Sequence, residues 1–162
     1  MKKIKIISCL TTIGVMILIF SFSAQNSEES SEISRGVTVQ IAEVIASLTR
    51  LPQKAKLDLI SDMHNIIRKI AHFTIYASLG VSSFVMFKAW LNKSKWVSML
   101  IAVVFCMLYA VSDELHQLAV SGRSGEIRDV LIDTSGAAVG IIILLGVVSC
   151  AERMIKKHRK EK

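Results

Sequence analysis

The chain is short of proline, of paired cysteines and of aromatic residues, and each shortage removes a class of protein. A single proline, Pro52, in 162 residues leaves long segments with nothing to interrupt a helix. The cysteines number three (Cys9, Cys106 and Cys150), and each lies inside an apolar run. An odd, dispersed set of that kind supplies neither a disulfide framework nor a cysteine metal site. Cys9 comes before most of its apolar run, which argues against a lipoprotein cleavage site. No His-Glu-x-x-His or comparably tight ligand spacing occurs, so no metal ligand is assigned and the cofactor is left unknown.

What the chain has instead is hydrocarbon. Hydrophobic residues make up 52% of it, too much for an ordinary soluble domain, and they gather in runs near the length that crosses a bilayer. The expected fold is all-α: an integral-membrane, four-transmembrane-helix bundle forming a single domain over 1–162. The spans fall at about 4–23, 69–88, 96–119 and 129–150. The first could be read as a cleaved signal peptide ending at Ala24. Phe22 then stands where a small residue is preferred, which favours an uncleaved span.

Between the first and second spans, at about 28–66, an extracytoplasmic amphipathic helical segment is expected. Serines precede early acids there, and Val37, Ile41, Val44, Ile45 and Leu48 repeat at helical spacing until Leu51-Pro52. Leu57 to Ile67 reads as a second short amphipathic piece leading into the next span.

The net charge of +7 lies beside the apolar runs. Three Lys residues at the N-terminus, three at 88–95 and six Lys/Arg in the tail 152–162 fall on one side of a four-span chain. The other side has eight, spread over longer connections and offset by acids. The positive-inside rule therefore places both termini in the cytoplasm, in a multi-pass protein of the cell membrane. The basic tail fits a topology determinant that touches anionic lipid, so the bilayer is the expected partner and nucleic acid is not.

Charged residues inside or beside such runs are costly and are functional-site candidates. Arg68, His72 and Tyr76 follow i, i+4, i+8 spacing on the second span. Tyr109, Asp113, His116 and Gln117 share a face of the third, from which Glu114 points about 100° away. Asp129 and Asp133 stand one turn apart at the start of the fourth. Three spans thus bring acids and histidines to a similar depth near the outer face, with Arg68, Lys69, Arg123 and Arg128 around them.

Two chemistries fit this set. Carboxylates divided between basic and apolar surroundings supply an acid and a base, for which His72, Asp113, Glu114 and His116 are the candidates. Arg68, Lys69, Arg123 and Arg128 suit a phosphate or pyrophosphate head group, with Tyr76, Gln117, Asp129 and Asp133 completing the substrate-binding set. His72 and the acids are also of the types that take a hard or borderline divalent cation. The competing reading is a buried salt-bridge network that only fixes helix register. Gly136 and Gly140 form a GxxxG in span four, a close-packing face for another helix of the bundle or for a second copy in a homo-oligomer.

These residues resemble the VanZ-like family, named after a protein associated with teicoplanin resistance. One match is DE-x2-Q-x5-R-x5-D-x6-G-x3-G, at Asp113, Glu114, Gln117, Arg123, Asp129, Gly136 and Gly140. A second is RK-x2-H-x3-Y-x2-LG, at Arg68, Lys69, His72, Tyr76, Leu79 and Gly80. Ser23-Ala24-Gln25 with Ser30 and Ser34 resembles the family's serine-rich segment after the first span. The chain departs from the pattern at Asp133, where the family often has Asn. The resemblance implies a small integral membrane protein linked to glycopeptide or lipoglycopeptide resistance, and it supplies no reaction.

The expected function is therefore a VanZ-like membrane protein whose outward-facing polar pocket binds or acts on a cell-envelope or lipid-linked phosphate component. The alternative is a non-enzymatic membrane protein whose polar cluster is structural, acting through a partner or by altering the cell surface. The orientation has a direct check in a chain whose native cysteines are replaced by serine. Arg128→Cys should react with a membrane-impermeant maleimide in intact cells, and Lys157→Cys only after permeabilisation. The reverse pattern contradicts it.

Overall fold

Helices in lipid satisfy their backbone internally, and long apolar stretches without proline have no better option. The computed structural model describes residues 2–24, 36, 39–41, 43–45, 47, 52–120 and 125–160. It contains four long helices: α1 (Lys2–Ser23), α2 (Gln53–Leu91), α3 (Lys95–Leu118) and α4 (Ile127–Lys160). Each is long and apolar enough to cross a membrane, and no strand occurs among the described residues. Of the segment expected at about 28–66, the part before Pro52 lies largely outside the described residues, and residues 53–66 belong to α2.

The expected spans are all present and mostly longer. Residues 57–67 are not a separate piece: α2 is one helix of 39 residues that starts directly after Pro52. Nothing between 53 and 91 breaks it, because proline at the position before the first turn is the last helix-restricting residue in that stretch. The turn between α2 and α3 is correspondingly short. Asn92 takes φ 49°, a left-handed conformation that Asn tolerates better than most residues, and Ser94 caps α3 by accepting from the Val97 amide at 3.3 Å.

The bundle has two chemically distinct ends. At the basic end the Trp90 indole donates to the Lys5 carbonyl at 3.3 Å, and the Lys5 ammonium lies 5.2 Å from the Trp90 ring centre. At the other end Gln117 of α3 reaches Ser23 of α1 at 3.5 Å. Helices α1 and α3 therefore run from the basic end to the far end, and α2 and α4 run back.

Small and polar residues share the inside of the bundle with a few large ones, Ile19, Tyr76, Leu79, Phe84 and Ile141, while the outside is mostly large and apolar. Ser8, Thr12, Ser83, Ser98, Ala102, Ala110 and Ala137 are buried, while Leu10, Ile17, Leu100, Leu108, Ile142 and Val147 are exposed. Lipid tails are as apolar as leucine, so helices associate through close backbone approach, side-chain packing and local hydrogen bonds, with no hydrophobic gain from leaving lipid. Thr12 bonds back to the Ser8 carbonyl at 2.8 Å, which satisfies its hydroxyl inside its own helix.

The closest approach is between α2 and α4. A Cβ on Gly80 would lie 2.7 Å from the Ala137 Cα, one on Gly140 2.9 Å from the Ala77 Cα, and one on Gly136 3.1 Å from the Phe73 Cα. These glycines serve a contact inside the bundle, between α2 and α4. Gly140→Val should lower the melting temperature in detergent, at a cost of about 1–3 kcal/mol from overpacking. Gly146, which has nothing within 4 Å of its missing Cβ, provides the control. Gly146→Ala should be neutral or stabilising by up to about 1 kcal/mol.

Candidate functional site

The parallel packing of α2 and α4 steps down both helices at nearly equal intervals, so residues toward the ends away from the basic turn meet in register. Lys69 Nζ lies 3.2 Å from Asp129 Oδ1 and 4.0 Å from Glu126, and Arg68 Nη2 lies 3.8 Å from Asp129 Oδ2. One turn deeper, His72 Nδ1 lies 3.7 Å from Asp133 Oδ2. Deeper again, Tyr76 is fully buried on the same face of α2.

Helix α3 completes the site from the opposite direction. Asp113 is 4% exposed, and one oxygen of it, one of Asp133 and a ring nitrogen of His72 all lie within 4.8 Å of one another. Glu114, pointing elsewhere as its place on the helix requires, accepts the Glu126 backbone N–H at 2.8 Å. That bond satisfies a free donor just before α4 and ties the end of α3 to the start of α4. The Gln117 amide nitrogen sits among three acceptors, 3.2 Å from Asp113 Oδ2, 3.4 Å from Glu114 Oε1 and 3.5 Å from Ser23 Oγ. It holds the two acids apart and joins them to α1.

Hydrogen bonding is uneven across this set. The Lys69–Asp129 pair is at the rim, with both side chains partly exposed. Both oxygens of Asp133, Asp113 Oδ1, His72 Nδ1 and the Tyr76 hydroxyl are buried without a hydrogen-bond partner among the described residues. At 3.7 Å the His72–Asp133 approach is an ion-pair distance and too long for a hydrogen bond. Buried carboxylate oxygens left without donors are costly, and native structures rarely tolerate several in one place.

A family model described as VanZ/LLP1 matches residues 8–149. The chain belongs to the VanZ/LLP1 family. No curated protein and no solved structure matches it. Family membership and four spanning helices make it a multi-pass membrane protein, and the family's association is with teicoplanin resistance.

Of the twelve residues expected at the site, Arg68, Lys69, His72, Tyr76, Asp113, Glu114, Gln117, Asp129 and Asp133 come together at one end of the bundle. Arg123 lies outside the described residues. Arg128 is exposed and joins no ion pair among the described residues; it lies about 100° round α4 from Asp129. His116 faces α1, where its ring stacks on Phe20 with centroids 4.4 Å apart. Tyr109 faces α1 too, donating to the Met16 carbonyl at 2.7 Å.

Glu126 was not among the expected residues. It contributes a carboxylate to Lys69 and a backbone N–H to Glu114. Its position immediately before the fourth apolar run is the only signal of it in the sequence. Two apolar grooves of about 290 and 300 Å³ lie against α1, lined by residues such as Phe84 and Lys88 or Phe20 and Tyr109, and neither includes the acid cluster.

The Glu114 contact makes a specific prediction. Glu114→Gln replaces a charge-assisted acceptor with a neutral one and should cost about 1–2 kcal/mol. Hydrogen exchange at the Glu126 amide should accelerate relative to amides in the middle of α4. Unchanged exchange there would mean that the contact does not hold the α3–α4 junction.

Proposed function

We propose that the chain is an envelope-facing membrane protein whose α2–α3–α4 cluster binds a phosphate-bearing cell-envelope component or lipid head group. The observation that supports this most is the pairing of partly exposed cations at the rim with unsatisfied acids and a histidine beneath them. At 3.8 Å from Asp129, the Arg68 guanidinium spends none of its donors in hydrogen-bond geometry on that acid. Its planar fork remains available for a phosphate, with Lys69 beside it as a point charge. Arg123, in the α3–α4 connection, is proposed as a further cation of the same site.

Charge supports the choice of the side that faces the envelope. Lys and Arg concentrate at the end formed by residues 2–5, 88–95 and 153–160, which we assign to the cytoplasm, and this places the cluster at the opposite face. A head group at that face would meet Arg68 and Lys69 first and His72 behind them.

With no cation bound, His72 and Asp113 are the acid/base pair this site offers. Glu114, the other acid considered for that role, spends an oxygen on the Glu126 amide and acts as a positioning residue, as does Gln117. Asp129 holds the rim cations in place, and Tyr76 orients groups from below. His116 and Arg128 are given no role in binding.

The structural reading draws on the Glu114–Glu126 and Lys69–Asp129 contacts, which do join helices. The two readings separate experimentally. In a susceptible host made more tolerant of teicoplanin by the wild-type chain, Arg68→Ala and His72→Ala should each abolish the gain while protein level and melting temperature stay near wild type. Full activity of both variants at normal level would refute the binding site. Loss of activity in proportion to loss of protein would support the structural reading.

A further inference from the structure

The charges at the inner layer of the cluster do not cancel. Arg68 and Lys69 are matched by Asp129 and Glu126, so the rim is close to neutral by itself. Beneath it, Asp113 and Asp133 share only His72 among the described residues, and His72 can supply at most one positive charge. Arg68 acts electrostatically on His72, but its own charge is already offset at Asp129. Two carboxylates and one imidazole at 0–23% side-chain exposure therefore need at least one more positive charge. An uncompensated carboxylate inside a helical bundle is among the costliest groups a membrane protein can hold.

The geometry points to a divalent transition-metal cation held by His72, Asp113 and Asp133. One nitrogen and one oxygen from each acid, all within 4.8 Å, is a three-ligand set of mixed N and O donors. Such a set suits Zn²⁺ or Mn²⁺ better than Ca²⁺, which takes six to eight oxygens. Tetrahedral coordination at about 2.1 Å places ligand atoms about 3.4 Å apart. The His72–Asp133 edge is 3.7 Å, and every edge of the triangle is at most 4.8 Å, so binding draws the three ligand atoms inward. Two carboxylates, a neutral imidazole and a dication sum to zero charge.

A second observation points the same way. The Tyr76 hydroxyl is buried with no hydrogen-bond partner among the described residues, and it lies within electrostatic reach of both Asp113 and Asp133. A phenol there is placed to donate to a metal-bound carboxylate, the usual second contact of such ligands. Three protein ligands also leave a coordination position open for water or for an oxygen of a bound anion. The site does not rest on the phosphate reading: a cation can bind whether or not a head group does.

The test uses the full chain purified into lipid nanodiscs, stripped with chelator and then equilibrated with Zn²⁺ or Mn²⁺ alone. The expected result is about one metal per chain after desalting, with a melting temperature raised by the metal and lowered again by chelator. Asp133→Asn and His72→Ala should each weaken metal binding by at least roughly tenfold. Glu152→Gln, at the opposite end, should bind as wild type does. Should Asp133→Asn prove unstable, Asp113→Asn supplies the second ligand deletion, and Mn²⁺ electron paramagnetic resonance of the wild type reports coordination without any variant. Failure of the wild type to retain either metal, or equal retention by the ligand variants, overturns the site and leaves shared protons as the neutralising charge. Metal binding with no effect of Arg68→Ala on teicoplanin tolerance would remove the head-group reading and leave this one standing.

Discussion

The close packing of α2 on α4 is the contact on which the rest of the structure depends. Gly80, Gly136 and Gly140 allow the two backbones to meet at distances that a methyl group would prevent. Because the helices run parallel and advance by about one turn per contact, the same approach sets 69 against 129 and 72 against 133. A shift of one residue would turn Asp133 toward lipid or toward α3 alone. The glycine seam is thus where a packing rule of membrane helices becomes a rule about which titratable groups can meet.

Charge then divides the cluster into two layers with different work. The rim, with Lys69, Arg68, Asp129 and Glu126, is partly exposed and internally balanced, as surface pairs commonly are. The inner layer, with buried Asp113, Asp133 and Tyr76 and half-buried His72, is short of both cations and hydrogen-bond donors among the described residues. Glu114 and Gln117 belong to neither: they fasten the end of α3 to α4 and α1. A network that existed only to fix register would have little reason to leave its most buried members unsatisfied.

Much of this was legible in the sequence, and what was not has physical causes. Apolar run length and the lone proline were enough for four spans, and i, i+4 spacing placed Arg68, His72 and Tyr76 on one face. The 100° offset of Glu114 from Asp113 foretold two partners for two acids. Periodicity says which residues share a face but not which neighbour that face meets, so His116 and Tyr109 were grouped with Asp113 although α1 covers them. Arg128 was included because cations near acids in sequence look close, whereas its neighbouring position on α4 turns it outward. Residue types marked His72 and the acids as able to take a cation, but spacing could not show that His72, Asp113 and Asp133 meet, because each comes from a different helix. The continuity of α2 was missed because amphipathic and fully apolar stretches read as separate pieces even when one helix carries both.

The central claim is that the inner acids are kept for binding and at a cost to stability. Asp133→Asn tests it most directly, measured in metal-free nanodiscs for melting temperature and in cells for teicoplanin tolerance. Removing a buried charge that has no hydrogen-bond partner among the described residues, without changing side-chain shape, should leave the melting temperature equal to or above that of the metal-free wild type, while tolerance is lost. A melting temperature well below wild type, with tolerance falling in step with protein level, would contradict the account and make Asp133 a structural member of the bundle.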